Sequence, residues 1–181
     1  MFSKLIRKTF HLRDNVGIGF YLANFFFKHI LRQNTDTPWA IHHSSTILFP
    51  DRIKKGRDVY PGDSPGNFIH AVNGVEIGDF TNIGPNVGII SANHDLIDNS
   101  RYIVGPPIRI GAFCWIGMGA VILPGVELGD HTIVGANAVV TGSFPDGYCV
   151  IAGNPARVIK QLDRQACDQF RQSKNIGPGA R

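Results

Sequence analysis

A six-residue period is the feature of this sequence that most limits what the chain can fold into. Aliphatic anchors recur at every sixth position in two stretches, namely Ile77, Ile83 and Ile89, then Ile110, Ile116, Ile122, Leu128, Val134 and Val140. A second small or apolar residue precedes these anchors by two positions, as at Val75, Cys114 and Ala120. A period sustained over six consecutive repeats indicates a repeat architecture.

The spacing within each repeat predicts a short β-strand followed by a turn. Residues two apart on a strand point to the same face, so both apolar positions of a repeat point inward. Glycine follows several anchors, for example Gly78 and Gly117, where the chain must bend. Three repeats close one triangular coil, and successive coils hydrogen-bond about 4.8 Å apart. We therefore predict an all-β solenoid, most regular over residues 71–145.

The period extends in a weaker form toward the N-terminus and is interrupted once. Ile41, Ile47, Ile53 and Val59 are also six residues apart, which predicts irregular early coils and a solenoid domain over 40–154. The interval between Ile89 and Ile110 is not a multiple of six, so a loop must leave the coil. We place this extruded loop at 95–107, and a loop held by a rigid scaffold is a common place for function.

Both ends of the chain are predicted to be helical. Residues 1–39 form an N-terminal helical extension, because Phe2, Leu5, Ile6 and Phe10 fit one helical face. Residues 155–181 form a C-terminal helix and tail. This helix is expected to start at Asn154-Pro155. Its apolar stripe is expected to consist of Val158, Leu162, Ala166 and Phe170.

Charge and cysteine content narrow the class of function. The net charge of +4 is modest and concentrated near the ends, so a broad nucleic-acid surface is not expected. The three cysteines have no framework spacing and indicate reduced thiols in a cytoplasmic protein. No signal peptide is recognised, and Val16 to Leu31 is too polar to span a bilayer.

Several blocks of the sequence resemble the hexapeptide-repeat acyltransferases. They are Trp115-Ile116-Gly117, the Pro124-Gly125 turn, the block Gly153 to Val158, which reads Gly-Asn-Pro-Ala-Arg-Val, and the segment Ser91 to Asp95. The nearest branch is that of the maltose, galactoside and exopolysaccharide O-acetyltransferases. The resemblance implies a left-handed parallel β-helix, an exception to the usual handedness of parallel crossovers. It also implies a homotrimer with sites between subunits, acetyl-CoA as donor, a sugar or glycan hydroxyl as acceptor, and no metal.

The resemblance marks His94 as the catalytic histidine. Acetyl transfer to a hydroxyl needs a group that removes the hydroxyl proton as the thioester carbonyl is attacked, and a histidine near neutral pKa suits that task. Asp95 is a candidate to orient the imidazole, with a turn-initiating aspartate as its alternative role.

Other site residues follow from the resemblance and from the loop. The residues assigned to coenzyme A are Trp115, Met118, Ala136, Thr141, Arg157 and Lys160. The residues assigned to the acceptor are Asn67, Asn93, Arg101 and Tyr102. Relatives often carry a lysine after the threonine, where this chain has Gly142, so Arg157 and Lys160 are expected to provide the charge for the phosphates.

Three other functions remain open from the sequence. The acceptor could be a non-sugar small molecule, such as an antibiotic or an amino-acid hydroxyl. A zinc-dependent hydratase resembling carbonic anhydrase uses the same solenoid, but its His-x4-His spacing is absent here. A non-catalytic scaffold could bind a membrane surface through residues 1–33, which are basic and apolar. The alternative for that segment is packing on the solenoid or on a trimer partner.

Overall fold

The computed structural model describes residues 16–175, and these form a three-sided parallel solenoid with a helix at each end. The predicted all-β solenoid is therefore confirmed. Two α-helices are present in this range, α1 (Ile18–Phe25) and α2 (Arg164–Asn175). A π-helical turn, Phe26–Ile30, continues α1, and a short 3₁₀ turn covers Pro50–Arg52. The predicted helical face of Phe2 to Phe10 lies outside the described residues.

Fourteen short strands build the solenoid within the described range. In chain order they are β1 (Thr46–Leu48), β2 (Ile53–Lys55), β3 (Phe68–His70), β4 (Val75–Ile77), β5 (Asn82–Ile83), β6 (Gly88–Ile90), β7 (Ile108–Ile110), β8 (Trp115–Ile116), β9 (Val121–Ile122), β10 (Glu127–Leu128), β11 (Thr132–Val134), β12 (Val139–Val140), β13 (Cys149–Gly153) and β14 (Ala156–Gln161). They form three sheets, with strand orders β1-β3-β6-β9-β12, β10-β7-β4-β2 and β14-β13-β11-β8-β5.

The predicted inward positions form the core. Ile116 pairs with Val134 and Ile122 pairs with Val140, so one regular coil takes eighteen residues. All the predicted anchors from Ile77 to Val140 are buried, and so is the small residue two positions before each of them. Cys114 is one of these residues and is 2% exposed. The core is therefore a set of columns in which each side chain contacts its equivalent one coil away.

The C-terminal prediction was wrong about where the helix begins. Residues 156–161 form β14, which runs antiparallel to β13 after a turn at Asn154-Pro155, and α2 starts only at Arg164. Val158 therefore lies on a strand, where it is 44% exposed, and does not share a helical stripe with Phe170. The hairpin forms because the edge of β13 is open and the residues from Ala156 to Lys160 can pair with it.

An aromatic column runs along one outer corner of the solenoid. Phe80, Phe113, His131 and Tyr148 each adopt a left-handed backbone conformation at equivalent corners of successive coils. The ring centroids of successive members are 5.0, 5.0 and 5.2 Å apart. Helix α2 packs against this column, since Phe170 contacts Phe113. The column explains why this corner carries large rings where an asparagine or glycine would be expected.

Ion pairs and hydrogen bonds fix α2 on the column. Arg171 forms an ion pair with Asp130 at 2.6 Å, and the Tyr148 hydroxyl donates to Asp168 at 2.7 Å. His131 lies beneath these groups, 6% exposed, and its Nε2 has no hydrogen-bond partner. Burial lowers the pKa of His131, with Arg171 acting in the same direction and Asp130 and Asp168 opposing it.

We expect replacement of a core anchor to destabilise the solenoid strongly. The change Ile122→Ala removes a fully buried side chain from an inner column, and it should lower the free energy of unfolding by about 2–5 kcal/mol. The change Ile97→Ala is the matched control, because that side chain is 99% exposed and its removal should cost less than about 0.5 kcal/mol. Chemical denaturation at one protein concentration checks both, and equal effects would contradict the assigned register.

We also expect His131 to make the fold less stable in mild acid. Its pKa is lower in the folded chain than in the unfolded chain, so the unfolded chain binds the proton more readily. Its contribution to stability is therefore complete above about pH 6.5 and is lost as the pH falls toward the folded pKa. The change His131→Phe keeps a ring in the column and removes the titration. The drop in melting temperature between pH 7 and pH 5 should become smaller, and an unchanged drop would show that other groups cause it.

Candidate active site

A short antiparallel hairpin at the base of the extruded loop brings His94 and Tyr102 side by side. The backbone N–H of Asp95 donates to the carbonyl of Arg101 at 2.9 Å, and that of Ile103 donates to the carbonyl of Asn93 at 2.8 Å. This pattern makes His94 and Tyr102 a non-hydrogen-bonded pair, the type in which side chains approach most closely. Their ring centroids are 4.5 Å apart.

Asn73 attaches this hairpin to the solenoid. Its side-chain Nδ2 donates to the carbonyls of Ser91, at 3.0 Å, and Ile103, at 2.9 Å, so it joins both ends of the loop. Its backbone N–H donates to the Ser91 hydroxyl at 2.9 Å. Asn73 was not identified from the sequence. The Asn73-Gly74 dipeptide signals a turn, but it does not reveal a partner thirty residues away.

His94 lies at the edge of an open cleft of about 270 Å³. The lining residues are Leu48, Phe68, His70, Ile90, Ala92, Asn93, His94 and Tyr102. Phe68 and Tyr102 remain 43% and 41% exposed, so the wall of the cleft is largely aromatic and apolar. An exposed imidazole beside such a wall can take a proton from a ligand that stacks on the rings.

His70 is a second histidine of this cleft that the sequence did not single out. It pairs between Leu48 and Ile90 in the sheet, and Tyr102 packs on it with ring centroids 5.0 Å apart. Burial lowers the pKa of His70, and the charge of His94 lowers it further. His70 is therefore neutral near pH 7 and places no cation beside His94. His70 could have been identified from the pairing of β3 with β6, but the early repeats are too irregular for that pairing to be recognised in the sequence.

The carboxylate of Asp95 takes part in the turn that opens the extruded loop. Its carboxylate Oδ1 accepts hydrogen bonds from the backbone N–H groups of Ile97, at 2.8 Å, and Asp98, at 2.9 Å. These two bonds lower its pKa. Asp95 thus closes the first turn of the loop, which is the alternative role that the sequence offered.

Asn67, one of the predicted acceptor residues, belongs to the core and not to the cleft. It is 1% exposed, and its Nδ2 donates to the carbonyl of Gly84 at 2.8 Å. Asn67 precedes the buried Ile69 by two positions, so strand alternation turns its side chain inward and it does not line the cleft of His94.

The remaining acceptor candidates surround the hairpin. Asn93 and Tyr102 line the cleft beside His94. Arg101 is 79% exposed and forms an ion pair with Asp98, with its Nε 2.7 Å from Oδ2. The structure therefore brings Asn93 and Tyr102 together with His94, whereas Arg101 is occupied in the loop itself.

The residues assigned to coenzyme A are all exposed. Trp115, Arg157 and Lys160 lie on the sheet that contains β8 and β14, whereas Thr141 follows β12, which belongs to the same sheet as β3 and β6. Trp115 is 54% exposed and begins a row of paired residues that continues through Ile133 and Val150 to Lys160. Met118 and Ala136 occupy equivalent positions on the next corner, Thr141 follows β12, and Arg157 is on β14. Trp115 is in the sheet of β5 and β8, whereas His94 follows the sheet of β3 and β6.

Cys114 is buried, and burial raises the pKa of its thiol to about 12, so it is a core residue and not a nucleophile. Between residues 16 and 175 there is no group of three or more histidine, cysteine, aspartate or glutamate side chains arranged to hold a metal ion. No helix in the same range is long and apolar enough to cross a membrane.

Comparison with known proteins gives one family match. The description "Bacterial transferase hexapeptide (six repeats)" matches residues 107–142. Over 93 residues the chain is 40% identical to the galactoside O-acetyltransferase of Escherichia coli, covering 49% of this chain and 45% of that one. Over 122 residues it is 31% identical to WcaF of Escherichia coli, a protein assigned as an acetyltransferase of colanic acid biosynthesis, covering 67% and 65%.

A solved structure supports the same grouping. The galactoside acetyltransferase in complex with coenzyme A superposes with a TM-score of 0.62 at 31% identity, covering 71% of this chain and 64% of that chain. The chain spans about half the length of the curated relatives it matches most strongly. These likenesses confirm the predicted left-handed parallel β-helix. The solenoid of this chain belongs to the hexapeptide-repeat acyltransferase family.

Proposed function

We propose that this chain is an acetyl-CoA-dependent O-acetyltransferase that acts on a hydroxyl of a sugar, a glycan or a lipid-linked saccharide. The observation that carries the proposal is the exposed imidazole of His94 beside an aromatic cleft, on a solenoid similar to one solved with coenzyme A. The cysteines in the described range are free, which fits a reducing compartment, so we place the protein in the cytoplasm.

The chemistry assigned to His94 is removal of one proton. The acceptor hydroxyl attacks the thioester carbonyl while the imidazole takes the hydroxyl proton, and a tetrahedral oxyanion forms. The intermediate collapses with cleavage of the carbon–sulfur bond, and the same proton passes from the imidazolium to the departing thiolate. The acetyl ester and free coenzyme A are the products. Neutral His70 suits this sequence, because it adds no positive charge beside the base.

Trp115, Arg157 and Lys160, which we assign to the donor, lie on a different sheet from the one that precedes His94, and this separation favours a homotrimer. The proposed donor surface contains Trp115 and Lys160, with Arg157 nearby on β14, and the two cations suit the phosphates of coenzyme A. In a trimer, the Trp115 face of one subunit would lie against the His94 cleft of the next. Each site would then take its base from one subunit and part of its donor surface from another.

The cleft favours an acceptor with a ring that can stack. Phe68 and Tyr102 are partly exposed in the cleft, and the C–H face of a sugar ring packs on such rings, while its hydroxyls remain free for His94 and Asn93. Relatives whose names specify a galactoside or colanic acid support the same class of acceptor.

Removal of His94 should abolish most of the transfer. Thiol release from acetyl-CoA, measured with a panel of sugars, nucleotide sugars and glycans, should fall in His94→Ala by on the order of a hundredfold or more. The matched control is His29→Ala, which removes an exposed histidine from the turn after α1 and should leave the rate unchanged. Acceptor-dependent release that is equal in both variants would remove His94 from the mechanism.

Tyr102 should act by holding the imidazole and the acceptor in place. The change Tyr102→Phe keeps the ring next to His94 and should retain most of the activity. The change Tyr102→Ala leaves the imidazole without its neighbour, and kcat should fall about tenfold to a hundredfold because the reacting groups lose their alignment. Steady-state kinetics on the acceptor check this, and a Phe variant as inactive as the Ala variant would point instead to a role for the hydroxyl.

A further inference from the structure

The N-terminal helix packs on the solenoid through its polar side. The side chain of Asn24 accepts a hydrogen bond from the backbone N–H of Ile41 at 3.1 Å, and Lys28 donates to the carbonyl of Thr37. The Phe27 ring stacks on His43 with centroids 4.4 Å apart. These contacts all lie at the first coil, so they fix which side of the helix faces outward.

The turn after the helix holds it at the same coil. The Nδ2 of Asn34 donates to the carbonyl of Ser45 at 2.9 Å, and its Oδ1 accepts from the backbone N–H of Ile47 at 3.3 Å. The helix is therefore attached at both ends of a short connection, and its outward face keeps a constant direction relative to the solenoid.

The outward side of this helix is apolar. Its members are Leu22, Phe25, Phe26, Ile30 and Leu31, which are 66%, 58%, 48%, 60% and 48% exposed. The spacing of the first four places them on one stripe of the helix. This arrangement is the reverse of an ordinary surface helix, whose apolar stripe faces the core. We call Leu22, Phe25, Phe26, Ile30 and Leu31 the outer stripe.

The charge of residues 1–33, counted along the sequence, suits an anionic surface. Residues 1–33 contain six lysine or arginine residues and one aspartate, and residues 16–33 contain no acidic residue. Lys28 is in the helical segment, where it also donates to the carbonyl of Thr37, and Arg32 follows two residues after the segment ends. A second copy docked symmetrically on the stripe would bring these like charges together, whereas anionic headgroups would neutralise them.

The length of the helical segment fits an in-plane position and not a span. The α-helix has eight residues and the π-helical turn has five, and neither they nor any other helix in the described residues could cross a membrane. A short helix with aromatic and aliphatic side chains on one face and basic residues beside them lies in the interface of a bilayer.

We propose that the outer stripe docks the protein on an anionic membrane surface. The inference stands on the N-terminal helix and does not require the acetyltransferase activity. If both are correct, the His94 cleft is held close to acceptors that are carried on lipid, which selects the lipid-linked saccharide from the proposed acceptors.

Vesicle binding tests the proposal. The full chain should co-sediment with vesicles of phosphatidylcholine and phosphatidylglycerol, more weakly with phosphatidylcholine alone, and less as salt is raised. The double change Leu22→Ser and Phe25→Ser should weaken binding to the anionic vesicles on the order of a hundredfold. Its matched control, Leu96→Ser with Ile97→Ser, removes two side chains that are 97% and 99% exposed in the extruded loop, and it should bind as the parent does.

The other outcomes overturn the proposal. Absence of binding by the parent chain, or equal binding by both double variants, would show that the stripe does not dock on lipid. A smaller assembly for the Leu22/Phe25 variant in light scattering, with no vesicle binding by the parent, would assign the stripe to contacts between copies. Thiol release with a soluble acceptor should be unchanged in the Leu22/Phe25 variant, so failure here is distinguishable from failure of the proposed reaction. Unchanged melting temperatures verify that the variants fold.

Discussion

The structure depends on parallel hydrogen bonding between successive coils, which keeps each residue opposite its equivalent one coil away. This close spacing of the coils is most evident at the corners, where the backbones of successive coils are in contact. A Cβ atom at Gly117 would lie 2.6 Å from the carbonyl oxygen of Val134, and one at Gly111 would lie 2.6 Å from the nitrogen of Asp130. Real Cβ atoms do not approach so closely, so glycine at these corners is a requirement of coil spacing. The same spacing stacks the inner aliphatics and the outer aromatic column.

The candidate site forms where the extruded loop leaves one coil, and the pairing of the coils is the same before and after this loop. Ile83 pairs with Ile116 and Ile89 with Ile122, so the chain resumes its register after the extruded loop. Asn73 joins the two ends of the loop to the coil, and the hairpin between them fixes His94 against Tyr102. A rigid repeat thus supplies a defined position for an exposed imidazole, and the loop supplies its surroundings.

The periodic part of the fold was predictable because each repeat is a local pattern. The inward anchors from Ile77 to Val140 follow directly from strand alternation, and so does the interruption before Ile110. The C-terminal error has a physical origin, because a sequence that begins with Asn-Pro fits a helix start as well as a hairpin turn. The choice between them depends on the open edge of β13, which no local pattern reveals.

The candidate site was predictable only where a motif or strand position marked the residue. His94 stands out through its surrounding motif, and Cys114 through its inward position. His70 and Asn73 are recognised only when β3 is aligned with β6, since their partners are distant in the sequence. The sequence offered two roles for Asp95, and the backbone N–H groups of Ile97 and Asp98 show that its carboxylate closes the turn. Residues whose partners are distant in the sequence can therefore be identified only when the pairing of the strands is known.

We propose that coenzyme A and the imidazole of His94 meet between two subunits, because Trp115 and His94 are associated with different sheets of one chain. A crystal structure of the protein with coenzyme A tests this most directly. The account predicts a trimer in which coenzyme A lies along the face of Trp115. Its thiol should be within hydrogen-bonding distance of the imidazole of a neighbouring subunit's His94, or one water molecule away. Coenzyme A bound with its thiol remote from every His94 would contradict the account.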